Sequence, residues 1–174
     1  MRRFWIDTDT ASDDAVAILM ALRWPDVHVE GISVVAGNVH LEQGTRNALY
    51  TVELCGSDVP VYQGLARPLL REPRNAEFFH GPDGMGGMNY KSQRNPEARH
   101  AVEAIIETFS AAPGEITLVT LGPLSSIATL VTAQPTWPIV SPLEPILTDF
   151  QAGSCWEKLM RVKNIRPPLI VGRR

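Results

Sequence analysis

Asp7, Asp9, Asp13 and Asp14 fall within eight residues of one another, in Trp5-Ile6-Asp7-Thr8-Asp9-Thr10-Ala11-Ser12-Asp13-Asp14, at the end of the first apolar run of the chain. Carboxylates gathered at the mouth of one strand repel each other in a low-dielectric pocket, and they persist where a hard cation or substrate protons compensate them. The pattern therefore predicts a metal site or a phosphoryl site. Helix capping explains part of it, because Ser12 or Asp13 is a good N-cap and acids in a first turn favour the helix dipole. Capping leaves Asp7 and Asp9 unexplained, and clustered acids of this kind mark functional sites.

The elements that must position these acids follow from apolar spacing. Arg3 to Ile6 reads as a strand, Asp13 to Trp24 as a helix stopped by Pro25, and Val27 to Ala36 as a β-branched strand ending at Gly37-Asn38. Leu41 to Leu54 makes a second helix closed by Gly56, and Val59 to Tyr62 is a short apolar segment. A polar, Gly/Pro-rich stretch then runs from Gly64 to Asn95, too long for an ordinary connection and of the kind that forms lids or binding segments. Asn95-Pro96 predicts the opening of a third helix, with Ala98, Val102, Ile105, Ile106 and Phe109 at helical spacing. Ile116 to Leu121 is a buried strand, and Gly122-Pro123 turns it into a helix from Leu124 to Thr132.

Strand and helix alternating with short turns predict a mostly parallel α/β sheet covered by helices on both faces. Such sheets bind ligands at the carboxyl ends of their strands. Asp7 and Asp9, Gly37 and Asn38, and Leu121 and Gly122 all fall at such ends, so three turns are expected to converge on one edge.

With 174 residues, 44% hydrophobic and 20% charged, the chain suits one globular core. A net charge of -3 gives no footprint for nucleic acid, and no apolar stretch is long enough for a bilayer, so a small molecule is the expected partner. Cys55 and Cys155 show no paired spacing, and Met1-Arg2-Arg3-Phe4 enters a strand without a signal-peptide pattern; both favour a cytoplasmic protein with reduced thiols.

Four motifs carry a family resemblance. Asp7 to Ala15, Val35-Ala36-Gly37-Asn38, His80-Gly81-Pro82-Asp83-Gly84-Met85-Gly86-Gly87 and Leu121-Gly122-Pro123-Leu124-Ser125-Ser126-Ile127-Ala128, in that order, resemble the inosine-uridine preferring nucleoside hydrolases. The resemblance implies a Rossmann-like nucleoside hydrolase fold and hydrolysis of the N-glycosidic bond of ribonucleosides, with a Ca2+ ion holding the ribose and activating water. By the same resemblance Asp9 and Asp14 match the metal-binding aspartates, Leu121 offers its backbone carbonyl to the metal, and Asp13 matches the general base. Asn38 matches the asparagine that binds the ribose, and Asp7 the first family aspartate, read as orienting the metal ligands. His80 is similar to a histidine at the nucleobase end, in a loop that closes over substrate. Relatives commonly form homo-oligomers.

Arg46 and Asn47 match family positions too, with a helix polar face or a cap to a neighbouring turn as their expected role. Trp5 and Trp24 are expected at the core edge, and His28, His40 and His100 at the surface. After Ala133 the chain departs from the family pattern into Gln134-Pro135-Thr136-Trp137-Pro138, and residues 133–174 hold six of the 14 prolines. The expected division is thus a truncated nucleoside hydrolase-like domain over 1–132 and a divergent, poorly ordered tail over 133–174. The family's later motifs are missing from the chain, which predicts impaired turnover and leaves an inactive family remnant as the main alternative. A haloacid-dehalogenase-like phosphatase, with Asp7 and Asp9 as nucleophile and acid, lacks a suitably placed lysine.

Overall fold

The computed structural model describes residues 1–70 and 72–133. Strand β1 covers Arg2–Thr8, α1 Ser12–Arg23, β2 Val27–Val34, α2 Leu41–Leu54 and β3 Val61–Gln63. The one-turn helix α3 (Glu77–His80), α4 (Ala101–Ala111), β4 (Ile116–Thr120) and α5 (Ser125–Ala133) follow. The four strands form one sheet in the order β3-β2-β1-β4, with every pair parallel. The order reverses between β1 and β4, the place at which sheets of this kind bind ligands outside the carboxyl ends of their strands.

Both faces of the sheet are covered, as expected. On one side Phe4 and Ile6 of β1 and Ile32 and Val34 of β2 pack against Ala17 and Ile18 of α1 and Leu41, Ala48, Leu49 and Val52 of α2. On the other, Trp5 meets Val102 and Ile105 of α4 and Ile127 and Leu130 of α5. The alternation of Phe4, Trp5 and Ile6 between the faces is the two-residue period of a strand. Trp5 is buried at the centre of the second core instead of at its edge, whereas Trp24 is 46% exposed. The indole fits because Gly31 faces it; a Cβ there would sit 2.6 Å from Trp5 Cζ3. Its Nε1 donates to Ser33 Oγ at 3.0 Å, which satisfies the polar edge of the ring.

α1 ends where the residue before Pro25 must be extended, and Trp24 has φ -79° and ψ 124°. α2 is closed at Gly56, whose φ of 63° is left-handed. The third long helix begins at Ala101, six residues after the Asn95-Pro96 expected to open it. The reason is tertiary: Glu97 N–H donates to Val61 O at 2.8 Å and the chain there makes a parallel bridge to Tyr62. That backbone serves the sheet and cannot also be helical. The exposed His100 then caps α4, its Nδ1 accepting from Val102 N–H at 3.3 Å. His28 and His40 are exposed, as expected.

Most of the tail expected over 133–174 lies outside the described residues, where α5 ends at Ala133. No helix among the described residues is long and apolar enough to cross a membrane.

Candidate active site

The loop between β1 and α1 is packed inside the protein. Asp7, Thr8 and Thr10 are fully buried, and Asp9 and Asp14 are nearly so. Thr8 Oγ1 accepts from Thr10 N–H at 3.1 Å and lies 3.1 Å from the Thr10 hydroxyl, which folds the loop back on the strand end. The N-cap of α1 is Ala11, not Ser12 or Asp13. Ala11 has no side-chain oxygen to offer, and Asp14, three residues on, reaches back so that its Oδ2 accepts from Ala11 N–H at 3.3 Å. One acid therefore serves the helix and the site at once.

The three strand-end turns meet at Asp9. Its Oδ2 accepts the backbone N–H of Asn38 at 2.7 Å. A Cβ at Gly37 would fall on the Asp9 carboxylate, and one at Gly122 would stand 2.9 Å from Asp9 Oδ1, so both glycines are required by close approach. Leu121 is buried beside them, and its N–H donates to Asp7 O at 2.7 Å. The structure thus brings together Asp7, Asp9, Asp14, Asn38 and Leu121, with Asp13 half-buried at the first turn of α1. Asn38 meets the cluster through its backbone.

The charges do not balance. Burial pushes the Asp7 carboxyl up to about 7; the 2.5 Å hydrogen bond from Ser33 Oγ pulls it down, and the Asp9 charge adds to the rise. Asp14 is raised well above its ordinary range, first by burial, then by the charges of Asp9 and Asp13 and by the closeness of the Asp9 carboxyl, with the Ala11 N–H opposing. Asp7 Oδ2 and Asp14 Oδ1 are buried and receive no N–H or O–H. Like charges this close call for bound protons or a cation.

The donor set suits a hard cation such as calcium, since every candidate ligand is an oxygen. Asp9, Asp14 and the Leu121 carbonyl are the groups that could hold it. Among the described residues no three His, Cys, Asp or Glu side chains gather into a cage of their own.

His80 reaches the cluster from 68 residues away, its Nδ1 lying 3.3 Å from Ser12 Oγ at the start of α1. Two contributors have no assigned role in the sequence reading. The buried Asp83 accepts N–H from Met85 at 2.9 Å, Gly87 at 2.7 Å and Asn89 at 2.7 Å. Burial opposes its charge, yet the Asn89, Met85 and Gly87 donors outweigh it and hold the carboxyl below its ordinary range. An Asp followed by several closely spaced glycines was the available signal. Ser33 is the other, identifiable only by its contact with Asp7. Asn47 does bond neighbouring turns, as expected, through its buried amide, whereas Arg46 is exposed and donates to Gln43.

The long Gly64–Asn95 stretch is less free than a lid over its second half. Tyr90 stacks on Tyr50 of α2 at 4.4 Å, and Glu53 accepts from the Ser92 hydroxyl and Gln93 N–H. Arg94 donates to the carbonyls of Ser57, Asp58 and Val59. Phe78 and Phe79, beside His80, are 90% and 78% exposed, which marks α3 as the loosely packed part.

Comparison with known proteins agrees with this geometry. A family model described as inosine-uridine preferring nucleoside hydrolase matches residues 4–139. The chain is 45% identical over 131 residues to the non-specific ribonucleoside hydrolase RihC of Salmonella typhi, covering 75% of this chain and 43% of that one. Among solved structures, the plant nucleoside hydrolase PpNRh1 superposes with a TM-score of 0.74 at 39% identity, over 78% of this chain and 44% of that one. The purine-preferring ribonucleoside hydrolase from Gardnerella vaginalis gives 0.73 at 34% identity, over 77% and 44%. The chain thus spans less than half the length of these relatives. With the acid loop, the Gly37 and Gly122 turns and the His80 segment assembled on one edge of a parallel sheet, the chain belongs to the inosine-uridine preferring nucleoside hydrolase family.

Proposed function

We propose that this protein takes part in hydrolysis of the N-glycosidic bond of ribonucleosides, giving ribose and free base. The observation that carries the reading is the buried, like-charged Asp9–Asp14 pair, with Asp14 Oδ1 left without a donor at the carboxyl edge of the sheet. Asp9, Asp14 and the Leu121 carbonyl would hold a calcium ion, which when bound compensates their charge and polarises a water. Asp7 orients the cluster from behind through its hydrogen bond with Ser33.

The remaining roles fall to this chain's own groups. The Asp13 carboxylate takes a proton from the attacking water as its oxygen bonds to the sugar carbon C1′. The C1′–N bond breaks with its electron pair going to the base, and the negative carboxylates favour the cationic sugar of the transition state. A base nitrogen must gain a proton, and His80 supplies it; with Nδ1 engaged by Ser12, Nε2 is the nitrogen left to donate. Asn38 binds the ribose, and closure of the His80 loop excludes bulk water. We read the protein as cytoplasmic, from the lack of paired spacing between Cys55 and Cys155 in the sequence. We also read residues 1–132 as a nucleoside hydrolase-like α/β domain, residues 133–174 as a divergent Pro-rich tail, and the protein as a homo-oligomer.

A second reading is cation and nucleoside binding without turnover. It is motivated by the donor count among the described residues, where two carboxylates and one carbonyl are fewer than the six to eight oxygens calcium usually takes. One assay separates the two: release of free base from inosine or uridine by the purified chain with millimolar calcium. Release that is lost in Asp13→Asn supports hydrolysis; none from the wild-type chain, together with a calcium-dependent rise in melting temperature, defeats it in favour of binding alone.

A further inference from the structure

The acid loop and the His80 loop are far apart in sequence, yet one buried amide touches both. Asn47 of α2 is 1% exposed, and its Nδ2 donates to Thr10 O at 2.9 Å and to Asp83 O at 2.8 Å. Its Oδ1 accepts from Gln43 Nε2 at 2.9 Å, so both donors and the acceptor are used and the amide has one orientation. Thr10 lies between Asp9 and the α1 cap, and Asp83 is the carboxylate around which Met85, Gly87 and Asn89 are wrapped. His80 is tied to that wrapped turn by its carbonyl, which accepts from Gly86 N–H at 2.8 Å. The circuit closes at the 3.3 Å contact of His80 Nδ1 with Ser12.

A separate observation shows that the loop is seated on this part of α2. Gly84 has φ +72°, and a Cβ on it would meet Val39 Cγ1 at 2.8 Å and Asn47 Nδ2 at 3.3 Å. Only a glycine lets the backbone approach so closely.

We propose that Asn47 is a positioning residue, a latch whose side-chain amide holds the Asp83 turn against the acid loop and so sets where His80 stands relative to Asp13 and Asp14. The Asp83 turn is internally complete through its own three N–H donors, so it moves as a unit and needs an outside partner to fix its placement. The consequence for turnover rests on the hydrolase reading above; the placement of His80 does not.

The test uses the full 174-residue chain in solution. In the wild-type protein, NMR should show a nuclear Overhauser contact between the His80 ring and Ser12. Asn47→Leu, close in volume and without the amide, should lose that contact while the amides of Met85, Gly87 and Asn89 keep hydrogen-exchange protection within about threefold of wild type. Gly84→Ala should lose it from the other side of the latch, and it decides the matter if Asn47→Leu does not fold. Retention of the contact in either folded variant overturns the proposal. So does its loss together with protection across β1 and β4, which would mean general loosening. If base release is measurable, Asn47→Leu should lower kcat about tenfold or more with a much smaller change in KM, since orientation of the proton donor is what is lost. A wild-type chain that shows the contact and never releases base defeats only the hydrolase reading.

Discussion

Asp7 is the residue at which the charge imbalance of the site can be measured most directly. Its folded carboxyl titrates near 7 against an ordinary 3.8, so the folded chain binds this proton more tightly than the unfolded one. Stability from this group is therefore complete below about 3.8 and declines as pH rises toward 7. Without divalent cation, the melting temperature should fall as pH rises from about 4 to about 7. Asp7→Asn, a neutral isostere that keeps the acceptor for Ser33, should reduce that slope and melt higher at the alkaline end; an unchanged slope would show that Asp7 is ionised throughout. Asp83 has the opposite sign. Its carboxyl is held below the ordinary range, so its contribution is present above the unfolded value and is lost as pH falls through the folded one. Asp83→Asn should accordingly cost stability at neutral pH and little in acid, a difference that urea titrations at the two pH values would reveal.

At the scale of elements, the β1–β2 pair is arranged around a single ring. Register shifts at Phe4/Trp5, so Trp5 lies opposite Gly31 and its indole occupies the space a side chain there would take. Gly31→Ala should destabilise the protein by about 1–3 kcal/mol, because a central strand and a buried indole leave little room for relief. Chemical denaturation followed by tryptophan emission checks both the loss and the displacement of Trp5, and a loss within experimental error would mean the second core yields easily. The strand–helix alternation was legible from apolar spacing, and β1, α1, α2, β4 and α5 agree with it to within two residues at each end. The onset of α4 was not, because Glu97 N–H is claimed by Val61 O across 36 residues of chain, a competition that no local pattern records. Gly31 in a β-branched run was the visible trace of Trp5's burial.

For the whole molecule, the site gathers buried carboxylates whose charge burial opposes, and a ligand that binds only the folded state there should show in global stability. Calcium at about 100 times its dissociation constant should add about 2.7 kcal/mol. The melting temperature should climb with calcium concentration, and Asp9→Ala should abolish the climb; a wild-type protein indifferent to millimolar calcium would count against a preformed cation site. The order of strands and helices, the acid cluster and the glycine-marked turns were determined by the sequence itself, since hydrophobic period and turn chemistry act between near neighbours. Which groups meet was decided only in three dimensions. Gly37 and Gly122 close on Asp9, Asp14 rather than Ser12 completes the helix cap, and His80 crosses 68 residues to Ser12. Burial and the distance between like charges, which shift Asp7 and Asp14, exist only once the sheet has brought those turns to a common edge.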